Sequence, residues 1–464
     1  MGGHSLGVHI KIILSLVIVG SVALSCSGGS GGQPNASARR DGQAVDTASG
    51  PVAWQFFDVS GCGLNGPEAG YQTVAASSGT QVAFASLTPT SGQATCTIEN
   101  RAATATVYDI CVVLSSADGF VGTIATSQPY TTMMGVGLAF DSTGVPMLAY
   151  TGGPSAQFRC GASDMLLASV SGGVLGTPLT IAAGSQSSGM PPDQAANCTS
   201  AAAQNVCNLG DATGYWPAVA LDSSSGKLAV AFRDLHFGFA DTDFNSSDVE
   251  FARGDDYSIF TADVARGGGS YIRLGFSPTG KAAIVHYNEH LPAIWLDHET
   301  DQGWESKQLF VGTIREQIGF AVSRQGLHAL AYFDAGETRQ LLAYSESSDG
   351  STWTATEDVD RDGVTGYYPS LAFDADDNPA IAYYRCNDYG VAQGCDVNKD
   401  GLYLARRSAG TWNIQKVSAV SGVNDGQYTA LAFAGGKAVI AFQQTSYDSV
   451  TGASKAILRV AKEP

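Results

Sequence analysis

The sequence predicts an all-β protein: a single β-propeller of four-stranded blades, seven in number, with the ring closed by an N-terminal strand pairing with the last blade. Three observations predict it. A hairpin-like segment recurs seven times, no useful helical periodicity appears beyond the first 25 residues, and the two ends of the chain supply complementary parts of one unit.

Residues 138–150 read Leu-Ala-Phe-Asp-Ser-Thr-Gly-Val-Pro-Met-Leu-Ala-Tyr, and residues 371–383 read Leu-Ala-Phe-Asp-Ala-Asp-Asp-Asn-Pro-Ala-Ile-Ala-Tyr. Related copies begin at Val74, Val219, Leu274, Phe320 and Leu431, with starts 46 to 81 residues apart. Each copy is a short apolar strand, a turn of Asp, Ser, Gly or Asn, and a second apolar strand, which is a hairpin pattern. Two further strands complete the clearer units: Leu402–Ala405 and Trp412–Val417 in the sixth, Leu341–Tyr344 and Trp353–Thr356 in the fifth. The seventh unit stops after Ala456–Val460, its third strand. Its missing fourth strand is expected at the front, where Trp54–Val59 repeats the Trp-to-Val spacing of Trp412–Val417. Closure of this kind removes exposed sheet edges.

The front of the chain reads as an address. Lys11 precedes an apolar run over 12–24 that is short for a membrane span and suits a signal peptide. The junction Ala23-Leu24-Ser25-Cys26 resembles a bacterial lipobox, which implies lipidation at Cys26, and Ser27 after it implies the outer membrane by the same resemblance. The expected layout is a signal peptide over 1–25, a flexible Gly/Ser/Ala-rich tether over 26–50 and the propeller over 51–464. The expected location is the envelope of a Gram-negative bacterium, with the membrane as a partner through the lipid.

A net charge of -18 argues against nucleic-acid binding, which needs clustered Lys and Arg. Eight cysteines remain after Cys26, an even number that predicts disulfides in an exported chain. Cys198 with Cys207, and Cys386 with Cys395, are each expected to staple a local loop. Pairing among Cys62, Cys96, Cys111 and Cys160 stays open.

The stretch Ser347-Ser-Asp-Gly-Ser-Thr-Trp353 resembles the Asp-box turn of sialidase-type (BNR) propellers, one residue short. In that family the turn is structural, with the Asp capping backbone amides. The resemblance also implies what a catalytic version would need: arginines for a carboxylate, a Tyr/Glu nucleophile and an Asp acid/base. Arg233, Glu289, Asp334 and Arg385 stand at second-strand ends of neighbouring units and could supply parts of it. The family's early Arg motif and a third Arg are missing.

Tyr71, Trp216, Tyr271, Tyr368 and Tyr428 enter the innermost strands of five units and are predicted to ring the axial channel. Aromatic faces there either stack on a sugar or apolar ligand or plug the channel. Asp358, Asp360 and Asp362, and then Asp396, Asn398 and Asp400, have the alternating oxygens and trailing glycine of a calcium loop, though the same residues also make ordinary turns. Asp241-Thr-Asp-Phe-Asn245 is a looser third. His286-Tyr-Asn-Glu-His290 lacks the order and helical setting of a zinc-hydrolase motif. The leading expectation is a non-catalytic, surface-anchored propeller that binds a glycan or protein. A sialidase-like hydrolase or lyase on the same face, and a structural envelope component, are the alternatives.

Overall fold

The computed structural model describes residues 53–464 apart from 63–69, 131–134, 153–162, 185–211, 236–246, 263–267, 388–394 and gaps of one or two residues. Among the described residues every element is a strand, and the strands form seven antiparallel sheets. Blades 1 to 6 occupy residues 71–130, 136–182, 212–261, 270–311, 319–360 and 365–418, each running in chain order from its innermost strand outward. Blade 7 takes its three inner strands from residues 423–462 and its outer strand from Gln55–Asp58.

The seam therefore closes as the repeat predicts. Phe57 pairs with Val460 and Asp58 with Arg459, whose Nε donates to the Asp58 carboxylate at 2.7 Å. A disulfide from Cys62 to Cys111 then ties this segment to the third strand of blade 1. Of the pairings left open by the sequence, this is the one described.

The blades pack face to face, and their second strands show how. Ala329 and Ala331 face blade 6 while Leu330 and Tyr332 face blade 4. Ala380 and Ala382 face blade 7 while Ile381 and Tyr383 face blade 5, and blade 3 repeats the arrangement with Ala229, Ala231, Val230 and Phe232. Because side chains alternate along a strand, one face carries large residues and the other alanines, so neighbouring sheets fit large against small. Both faces are covered, which is why these strands read as unbroken apolar runs. The turns between first and second strands are held by aspartates. Asp141 accepts from the amides of Thr143 and Val145, at 2.8 and 2.9 Å, and Asp374 from those of Asp376 and Asn378, both at 2.9 Å.

One expected strand moves. The outer strand of blade 5 is Glu357–Asp360, not Trp353–Thr356. The cause is the preceding turn. Asp349 accepts from the amides of Ser351 and Thr352, and the Trp353 indole donates to the Gly350 carbonyl at 3.0 Å, so Trp353 stays bound to the turn. Regular pairing begins only after it, and this carries Asp358 and Asp360 into a buried strand.

Five innermost strands carry the same bulge, in which two residues oppose one on the second strand. The first bulged residue is left-handed: Gln72, Trp216, Tyr271, Tyr368 and Tyr428 have φ between 49° and 56°. Two positions before each stands a glycine, Gly70, Gly214, Gly269, Gly366 or Gly426, also with positive φ. At Gly366 (φ 96°) an added Cβ would lie 2.6 Å from the Leu342 Cα in the third strand of blade 5. Gly366→Ala is therefore expected to cost about 3 kcal/mol or more, from strain plus a backbone clash. Gly410→Ala, at φ 80° but with open space around it, should cost only about 1 kcal/mol. Urea midpoints of the two variants check the contrast, and equal losses would refute it.

Candidate functional site

The bulges decide where the aromatic side chains go. A left-handed, non-glycine residue costs about 1 to 3 kcal/mol and persists only where its surroundings over-determine it. Here Trp216, Tyr271, Tyr368 and Tyr428 hold that conformation side by side around the axis. Their rings meet: Tyr368 and Tyr428 centroids are 4.3 Å apart, Tyr71 and Tyr428 4.6 Å, and Trp216 and Tyr271 4.5 Å. All five predicted aromatics line one axial cavity of about 30 Å³, together with Gln72, Arg273 and Gln317.

The equivalence assumed for blade 1 needs correcting. By register and by φ, Tyr71 corresponds to Tyr215 and Tyr367, and the residue at the left-handed position is Gln72. Tyr71 still lines the cavity, but from the preceding position. The glycine two places upstream carried the signal, since Gly70-Tyr71-Gln72 matches Gly214-Tyr215-Trp216 without a gap.

Below the aromatic rings lies a second axial chamber of about 160 Å³, bordered by Val74, Val136, Pro217, Arg273, Gln317 and Ser370 among others. Gln317 is buried and borders both cavities. Its amide nitrogen donates to the carbonyls of Thr429, Pro369 and Tyr368 at 2.8, 3.2 and 3.3 Å, joining the entrance of blade 5 to blades 6 and 7.

The charged candidates lie elsewhere, in the joints between blades. Arg233 is buried in blade 3 and reaches across to Glu289 of blade 4 at 3.0 Å, with Ser270 and Ser247 as further partners at 3.0 and 3.2 Å. Arg385 of blade 6 gathers Asp362 at 2.8 Å, Asp400 at 3.6 Å and Asp360 at 4.0 Å. Asp334 is buried in blade 5 and accepts from the Gly336 amide at 3.2 Å. The two arginines thus serve separate acidic partners, and none of Arg233, Glu289, Asp334 or Arg385 lines either axial cavity.

The two acidic loops do converge, across blades. Asp360, Asp362 and Asp400 surround the Arg385 guanidinium, which is the cation these carboxylates share here. Asn387 bridges the loops, donating from Nδ2 to Asp400 at 3.0 Å and accepting from the Val364 amide at 2.8 Å. Tyr383 donates to Asp360 at 2.7 Å. Burial raises the Asp360 carboxyl above its usual range, opposed by Tyr383, the Asp362 amide and Arg385. Asp358 stands apart, paired with Arg339 and with Arg361 at 3.3 Å. Asp396 accepts from the Asn398 amide at 2.9 Å, a turn interaction. The expected disulfide Cys386–Cys395 is present and braces this loop, so the two sulfurs beside Asp400 are not free thiolates. Cys26, Cys198, Cys207 and the segment 241–245 lie outside the described residues.

No protein-family model and no curated protein matches the chain. Solved structures with a similar course include a Hadza microbial sialidase (14% identity, TM-score 0.45, covering 77% of this chain and 73% of that one). The polysaccharide lyase Uly1 (10%, TM-score 0.48, 85% and 90%) and the Aleuria aurantia lectin bound to α-methyl-L-fucoside (12%, TM-score 0.34, 69% and 93%) are others.

The Arg385 cluster makes a pH-dependent prediction. Arg385→Met leaves Asp360 and Asp400 buried without their cation, a loss of about 3–5 kcal/mol near neutral pH. The folded-state pKa of Asp360, already raised by burial, then rises further above the unfolded value, so the folded state binds more protons and stability falls as pH rises. The deficit relative to the unaltered protein should therefore shrink from about pH 8 to about pH 5. Denaturation curves at the two pH values test this, and a deficit that grows on acidification would contradict it.

Proposed function

We propose that this protein is a non-catalytic binding propeller that takes a glycan at the aromatic rim of its axis. The observation that carries the reading is the set of four aromatic residues, Trp216, Tyr271, Tyr368 and Tyr428, held in strained left-handed conformations at one end of the channel. The bulge itself does not demand an aromatic side chain, because Gln72 occupies the same position in blade 1. Strain retained at one place by several independent blades is the mark of a functional constraint. Aromatic faces with polar tips match the apolar faces and hydroxyl edges of sugars. A cavity of about 30 Å³ is too small for a pyranose ring, so the sugar rests on the rim and does not thread the channel.

Support for a non-catalytic role comes from the charges. Arg233 with Glu289, and Arg385 with its three aspartates, are spent in separate ion pairs within and between blades, away from the axial cavities. A hydrolase or lyase would need an acid and a base converging on one substrate bond. We also propose that the chain is displayed on the outer membrane by lipid on Cys26, in keeping with the apolar run over 12–24 that precedes it.

A glycan array followed by calorimetry tests the first proposal. Trp216→Ala and Tyr428→Ala should each weaken the best glycan about tenfold or more. Failure of the unaltered protein to bind any glycan, or variants that lose melting temperature but keep affinity, would make the aromatics a plug. For the anchor, Cys26→Ala should move the protein from the membrane fraction to the soluble one, and an unchanged distribution would count against lipidation.

A further inference from the structure

Arg273 is a half-buried charge on the axis that has no ion-pair partner among the described residues. It follows the bulge of blade 4, paired with Val285. At the same register four other blades carry Val74, Ala218, Ser370 and Ala430. Arg273 borders both the small aromatic-capped cavity and the larger chamber beneath it. None of the ion pairs among the described residues includes it. Its one hydrogen bond there runs from Nη1 to the neighbouring Ile272 carbonyl at 2.9 Å.

A guanidinium presents five N–H donors and stays charged at neutral pH. Arg273 is half-buried, and holding a charge there without a counter-charge is costly; desolvation lowers its pKa to about 10, which still leaves it a cation at neutral pH. The other arginines at blade joints, Arg233 and Arg385, have carboxylates for this purpose. The chamber beside Arg273 has room for an ion of a few heavy atoms. It shares Ala75, Leu371 and Leu431 with a wide mouth of about 710 Å³ at the opposite end of the axis from the aromatics.

We propose that the axial chamber is a binding site for a small monovalent anion, a halide or a simple carboxylate, held by the Arg273 guanidinium and admitted through the mouth opposite the aromatic rim. The site adjoins the cavity beneath the aromatic rim, Arg273 bordering both, but the proposal does not rest on the glycan reading. In a protein of net charge -18, an anion reaches such a chamber against the surface field, so binding should strengthen as added salt screens that field.

Two measurements test this on the propeller. The first is melting temperature at constant ionic strength, with gluconate, a large and strongly hydrated anion, replaced stepwise by bromide or formate. The unaltered protein should show a saturable rise, Arg273→Gln should lose it, and Arg273→Lys should keep part of it. The second is an anomalous difference map from bromide-soaked crystals of the unaltered protein, with a peak expected against the Arg273 guanidinium. Response to bromide alone defines a halide site and response to formate a carboxylate site; either upholds the proposal. Equal anion response in Arg273→Gln, or no bromide peak together with no formate response, overturns it. Should Arg273→Gln fail to fold, the bromide map and formate titration of the unaltered protein decide the matter.

Discussion

The packing of large side chains against alanines between neighbouring sheets is the interaction on which the rest of this structure depends. Tyr332, Tyr383 and Phe232 each press into the preceding blade from a strand whose other face presents alanine to the next. Dense packing on both faces leaves each sheet little freedom to slide or twist. That rigidity is what lets five inner strands hold left-handed bulges. A lone tyrosine at φ near 50° would relax in a soft loop, whereas here the strand on either side is pinned.

Polar groups follow the same logic. Where a blade brings a charge into a joint, the neighbouring blade answers it: Glu289 answers Arg233, and Asp360 with Asp362 answers Arg385. Such pairs contribute little net stability against an apolar alternative, but removing one partner is costly. They fix which surface of one blade meets which surface of the next. Charges committed to this task stand off the axial cavities, which are left to aromatic rings, amides and Arg273.

Much of the architecture was legible because the hairpin repeats its own turn chemistry. Asp141 and Asp374 cap their turns in the same way, and the Trp-to-Val spacing at both ends located the closing strand to within a residue or so. The misreadings have local causes. Alignment by apolar residues put Tyr71 level with Trp216, because blade 1 has one residue fewer between its glycine and its first apolar position. Strand spacing placed Trp353 in a sheet, though its indole is held by the turn before it. The joining of Asp360 to Asp400 through Arg385, and of Cys62 to Cys111, depends on contacts between distant segments that no local pattern encodes. Arg273 was overlooked because it interrupts a register of small and apolar residues visible only once the strands are paired.

The closing strand has a consequence for how the molecule is made. Among the described strands Phe57 belongs to the first to be made and Val460 to the last, so the two partners are synthesised far apart in time. Six blades can form from their own contiguous hairpins as they emerge, but the seventh must wait with an exposed edge until the early segment returns to it. Folding of the ring thus has a closing event that waits for the last described strand. Until then, the nascent ring is open at a single known place.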